Sequence, residues 1–168
     1  MRLFRKQKSR RTWKGLAAGA TGGLVASYAM SLFHSAWAKL VQPPKTEGPD
    51  STVRTANAIS CALVHHDLSP GQQKIAGPMV HYLFGTAVGA VYGSGAELLP
   101  EISAAFGLPF GTAVWLGADI TAVPALGLSG SPAKRPLADH AGEFVAHLVY
   151  GAATDAVRRL LRRNLDRL

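Results

Sequence analysis

The sequence has a single cysteine, Cys61, so neither an internal disulfide nor a cysteine metal cage can form. It also has little charge through its middle. Of 18 Lys and Arg, seven lie in the first 14 residues and five between Arg158 and Arg167, leaving six for the 143 residues between. Acids are fewer still, 10 in all. A net charge of +8 would suggest a nucleic-acid partner, but such domains spread their bases over a folded surface. Two terminal basic blocks around apolar runs exclude that partner and fit the cytoplasmic flanks of a membrane protein. No nucleophile elbow is present, and every glycine cluster lies in an apolar run, so no phosphate-binding loop is either. The sequence predicts neither an enzyme nor a cofactor.

What is present is a set of long apolar runs. Gly15 to Ala38 has no Asp, Glu, Lys or Arg over 24 residues, and a helix needs about 20 to cross the hydrocarbon. The mean hydropathy of +0.12 is low because the runs are rich in Gly, Ala, Ser and Thr. The pattern predicts an all-α polytopic membrane protein with four transmembrane helices over 15–38, 75–97, 103–127 and 139–161. Residues 1–14 form a basic cytoplasmic head, disordered in water, 15–163 a single membrane domain, and 164–168 a cytoplasmic tail. Both termini are expected inside, where the basic blocks meet anionic headgroups. A rival exists at the start. Ser9-Arg10-Arg11-Thr12-Trp13-Lys14 loosely matches a twin-arginine export motif, and Ala36-Trp37-Ala38 would then be a cleavage site. The apolar runs that follow argue against an exported soluble domain.

Residues 39–74 form the first outer loop. Gln42-Pro43-Pro44 and Gly48-Pro49-Asp50 break any helix. Asp50 or Ser51 then caps a short amphipathic helix with Val53, Ala56, Ile59 and Leu63 on one side, predicted to lie along the membrane surface. His65-His66-Asp67 follows as an exposed helix end rather than a metal site. Glu97, Pro100 and Glu101 make a short inner turn. Lys134 and Arg135, in the last outer loop, weakly oppose the positive-inside rule.

Gly15, Gly19 and Gly23 share one helix face, and so do Gly85, Gly89 and Gly93. Small residues at this spacing let helices approach closely, within one chain or between copies of a homo-oligomer. The second and fourth spans share His-x-x-aromatic-Gly (His81 to Gly85, His147 to Gly151). The first and third share Gly-Leu-x-x-Gly (Gly15 to Gly19, Gly107 to Gly111). These matches raise a 2+2 repeat of helical hairpins.

Pro43-Pro44-Lys45, Ala-Glu-Leu-Leu-Pro at 96–100, Glu143-Phe144-x-x-His147-Leu148-Val149 and the pairs Arg158-Arg159 and Arg162-Arg163 carry a resemblance that covers most of residues 14–164. The chain resembles the YagU-like family of small bacterial inner-membrane proteins of unknown function. The resemblance implies a multi-pass inner-membrane protein with a suggested link to acid tolerance, and it supplies no catalytic residues.

On the fourth span, His140, Glu143 and His147 fall within an arc of about 60°, and Gly151, Thr154 and Arg158 extend the stripe. Such a stripe must face protein or water. With the termini inside, His34, His81, Asp119, His140, Glu143 and His147 all fall in the outer half of the bundle. Glu97 and Asp155 fall near the inner face, within reach of Arg158, Arg159 or Arg162. The outer cluster admits three chemistries: interhelical hydrogen-bonding glue in a structural or partner-binding subunit, a proton-responsive or ion site, or a divalent-metal site or transporter using His140, Glu143, His147 and Asp119.

Overall fold

The computed structural model describes residues 2–41, 48–165 and 167, with side chains from Thr12 onward. The Pro43-Pro44-Lys45 motif lies outside the described residues. The described residues form helices and connecting turns, with no strand among them.

Helix α1 runs Arg2–Val41. The basic head is continuous with the first helix, since nothing between Lys8 and Gly15 breaks a helix. Helix α2 spans Ser51–Val64 and starts after Pro49-Asp50, with Asp50 at the N-cap position but making no side-chain cap bond. It ends where His65 takes the left-handed conformation at φ 55°. Helix α3 spans Pro70–Leu98. Ser69 starts it with a reciprocal capping box: the Ser69 hydroxyl accepts from the Gln72 amide, and Gln72 Oε1 accepts from the Ser69 amide at 2.8 Å. Pro100 follows the last turn, where a helix must stop.

The third apolar run departs from the prediction at its inner end. Pro100–Gly107 is a short 3₁₀ segment with a sharp kink. Ala105, Phe106 and Gly107 take consecutive left-handed conformations at φ 48°, 55° and 77°. The regular rod therefore begins at Leu108 rather than at 102 or 103, and the short inner turn expected at Glu97–Glu101 is a longer connection. The rod comprises α4 (Leu108–Val114), a π-helical stretch (Trp115–Ala122) and α5 (Val123–Ala125). Within it Thr121 Oγ1 donates to the carbonyl five residues back, Leu116 O, at 2.7 Å. After a 3₁₀ turn at Pro132–Lys134, helix α6 runs Leu137–Leu165.

Helix α1 lies between α3 and α6, antiparallel to both, and α4 packs on α6. The α1–α3 contact is backbone on backbone. A Cβ on Gly19 would collide with Gly89 and Gly93, and one on Gly23 with Gly85 and Gly89. The two glycine ridges therefore face each other inside one chain, which brings the helices together as small-residue stripes allow. The second hairpin repeats the device, with Gly151 against Gly107 and Gly111. Its register differs from the sequence match. Gly85 meets Gly23 and Ser27, whereas its counterpart Gly151 meets the counterparts of Gly15 and Gly19, about two turns away. Helix α2 packs across α3 rather than standing apart: Ala56 is buried and Val53 sits over Gly77, while Ile59 and Leu63 are exposed.

Three helices are long and apolar enough to cross a membrane: Thr12–Val41, Pro70–Leu98 and Pro100–Ala125. The α6 helix matches them in length but falls outside that group, because its histidines, Glu143 and Asp155 lower its hydropathy. Burial is inverted relative to a water-soluble fold. The largest fully buried side chains are Ser27, Thr154 and Asp155, all polar, while Leu83, Val91, Ile75 and Phe106 lie open. An apolar exterior of this kind is the surface a bilayer solvates. The apolar core is small, with Ala26, Met30, Ala146 and Tyr150 at its centre.

Candidate functional site: two polar layers

Helices α1 and α6 place the outer layer. His34 and Glu143 meet across them, with Nε2 and Oε2 3.4 Å apart. The contact has ion-pair distance but not hydrogen-bond alignment, and His34 Nε2 is closed off from solvent with no other partner in the described residues. His81, on α3, points its Nε2 at the Ser27 carbonyl at 3.2 Å. That atom lies on α1 one turn beyond Gly23, so the glycine contact brings the imidazole there. His81 lies within electrostatic reach of His34, His147 and Glu143, and His34 within reach of Asp119.

Two members of the cluster set a ring nitrogen on a backbone carbonyl. His140 Nε2 meets the Pro132 carbonyl at 2.8 Å, tying α6 to the loop before it. His147 Nδ1 meets the Glu143 carbonyl on its own helix at 2.8 Å. Asp119, on the π-helical stretch, is held by Arg135 at 3.3 Å. No group of three or more His, Cys, Asp or Glu that could hold a metal occurs among the described residues. The metal set His140, Glu143, His147 and Asp119 is therefore not assembled, because each member but Glu143 is spent on a loop carbonyl, its own helix or an arginine.

The inner layer is denser. Asp155 is fully buried and accepts from Tyr92 Oη at 2.9 Å, Arg158 Nη2 at 3.0 Å and Arg159 Nε at 2.6 Å. Glu97 accepts from Arg162 Nε at 2.6 Å, with Arg158 Nη1 3.8 Å away. Arg159 also donates to the Ser103 carbonyl. The network joins α3, α6 and the kinked segment at one level. A carboxylate removed from water needs this many donors, since an unpaired buried charge costs several kcal/mol. The Tyr92 ring stacks on Phe110 at 4.1 Å and closes the ring of helices between α3 and α4.

Sequence reasoning overlooked several participants. Arg135 counted only toward topology, although its pairing with Asp119 spans 16 residues. Tyr92 sits one residue before Gly93, and that adjacency to the glycine face was the available signal. Trp115, whose ring meets Phe144 at 4.9 Å and whose Nε1 is buried without a partner among the described residues, left no signal.

No curated protein and no solved structure matches the chain. A family profile described as a protein of unknown function, DUF1440, matches residues 31–156. That stretch contains all six members of the outer cluster and ends just after Asp155. The chain belongs to the DUF1440 family of proteins of unknown function, in keeping with its YagU-like resemblance.

Proposed function

We propose that the chain is a four-helix inner-membrane protein, not an enzyme, with both termini in the cytoplasm and a proton-responsive outer layer. The observation that carries this reading is the His34–Glu143 pair, which joins α1 to α6 at 3.4 Å with an otherwise unpartnered ring nitrogen. Histidine ordinarily titrates near pH 6.5, so mild acid changes this contact. A protonated His34 attracts Glu143 and repels a protonated His81. Acidification therefore tightens α1 on α6 while loading the layer with positive charge. This behaviour fits the acid-tolerance link that the family resemblance implies.

Helix α6 serves as the fourth span. Its 29 residues extend about 43 Å, enough to cross the bilayer. Its polar residues Thr154, Asp155 and Arg158 are buried against neighbouring helices, which frees the remaining surface for lipid. Twelve terminal bases, seven before Gly15 and five from Arg158, orient both ends inward. Reporter fusions at Thr55 and at the C-terminus test the orientation, and a cytoplasmic signal at Thr55 overturns it.

The proton reading is tested in liposomes. Tryptophan emission, dominated at this level by Trp37 and Trp115, should change between pH 5 and 8 in the wild type. In Glu143→Gln and His34→Gln the change should be lost. A second reading, polar glue between helices, draws on the carbonyl contacts of His81 and His140. Identical pH curves for wild type and both variants, with only a lowered unfolding midpoint, would assign the layer to glue.

A further inference from the structure

We propose that the inner end of α6 carries a site for the headgroup of an acidic phospholipid, formed by Arg159 and Arg163 beside Phe106. Three guanidinium groups, Arg158, Arg159 and Arg162, share two carboxylates, Asp155 and Glu97. Arg159 is the member that faces outward: its side chain is 42% exposed, against 8% for Arg158 and 12% for Arg162. It is also held still, with Nε on Asp155 and Nη2 on the Ser103 carbonyl.

Arg163 lies one turn further along the same helix face and is exposed. Two guanidiniums on one face suit the oxygens of a phosphate: Arg163 can offer its fork, and Arg159, with Nε and Nη2 committed, its Nη1. Glu101 is exposed on the kinked segment and offsets one charge, while Lys14, reaching the Leu165 carbonyl, adds one back. From Asp155 to Leu168 the sequence carries five arginines against two acids, Asp155 and Asp166, so this end of the chain is net positive. Phe106 supplies the other half of an amphiphile's chemistry. Its ring lies 5.9 Å from the Arg159 guanidinium and is 74% exposed. A cation beside an open aromatic ring suits a molecule with an anionic head and an apolar tail better than a free anion. Cytoplasmic leaflets are rich in such lipids.

The inference rests on the topology proposed above for its biological setting, but its test does not. The full chain is purified in neutral detergent and offered phosphatidylglycerol or phosphatidylcholine with identical acyl chains. Native mass spectrometry then counts the lipid retained. One phosphatidylglycerol should be retained about fivefold in preference to phosphatidylcholine, and Arg163→Gln should remove most of that preference. Phe106→Ala should lower retention of both lipids, and Arg54→Gln on α2 should change neither. Equal retention of the two lipids overturns the site. A preference that survives Arg163→Gln also overturns it, by placing the lipid on other bases. Displacement by inorganic phosphate at equal concentration would assign the arginines to a free anion instead. Micelles have no sidedness, so a reversed topology in the fusion experiment leaves the lipid result standing.

Discussion

The hydroxyl of Tyr150 on α6 donates to the Gly85 carbonyl on α3 at 2.6 Å. These helices sit diagonally across the bundle with few backbone contacts, so this bond, the Tyr92–Asp155 bond and the Glu97–Arg162 pair pin the diagonal. Tyr150→Phe keeps the ring in the core and removes one hydrogen bond. It should lower stability by about 1 kcal/mol, read from denaturant midpoints in detergent. A loss several times larger would mean that the ring itself had moved.

The glycine contact should respond by position. A methyl group at Gly89 would meet the backbone of Gly19 and Gly23, which has no room to yield. Gly89→Ala should cost about 1–3 kcal/mol. Gly117 lies in the exposed rod with nothing near its missing Cβ. Gly117→Ala should be neutral or stabilise by up to about 1 kcal/mol, through its effect on the unfolded chain. Equal effects at the two sites in thermal unfolding would contradict the interlock.

How much of this could be read beforehand divides along physical lines. The glycine ridges, with their four-residue spacing, were legible because close approach depends on the missing side chains themselves. Their partners were not, since either ridge could equally have met a second copy. The close approach of the Gly19 and Gly89 backbones is a tertiary fact. That Glu143 and His34 share one level followed from helix rise, and so did the pairing of Asp155 with Arg158. The direction in which His140 and His147 turn did not follow, because a local carbonyl competes for each imidazole. The kink was hidden for another reason. Ser103 to Gly107 reads as part of an apolar run, and nothing in Ala105 or Phe106 favours a positive φ. Gly107 was the visible hint, adopting a conformation that suits glycine and lying against the Gly151 backbone.

The inner network should tolerate loss of a carboxylate poorly. Asp155→Asn leaves the buried Arg158 and the half-exposed Arg159 without their shared counter-charge. A loss of about 3 kcal/mol is expected, and expression in membranes should fall with it. Glu101→Gln, at an exposed position on the same side, should leave both unchanged. Comparable loss in the two variants would point to general charge depletion instead.

Outside the spans, Asp67 accepts from Asn57 Nδ2 at 2.6 Å and from the Cys61 thiol at 3.3 Å. The Asn57 bond, then the thiol bond, holds the Asp67 carboxyl below its ordinary range, and the same carboxylate pushes the Cys61 thiol up. A depressed carboxyl contributes stability that is complete above its unfolded value, about 3.9, and is lost as pH falls through the lower folded value. Amide protection at the end of α2, taken relative to the intrinsic exchange rate at each pH, should therefore fall below about pH 4. The raised thiol carries less thiolate, so Cys61 should alkylate slowly at pH 8, and Asp67→Asn should speed the reaction. An unchanged alkylation rate in that variant would separate the two groups.

The contact between α1 and α3 repeats every four residues on both helices, and this gives it a property that side-chain packing lacks. Sliding one helix along the other by four residues, about 6 Å, sets glycine over glycine again. A slide of half that distance sets bulkier residues against backbone. The interface thus has discrete resting positions separated by barriers, in the manner of a toothed rack. His81 travels with α3, so a single step would carry its imidazole from the Ser27 carbonyl to the level of the next turn of α1.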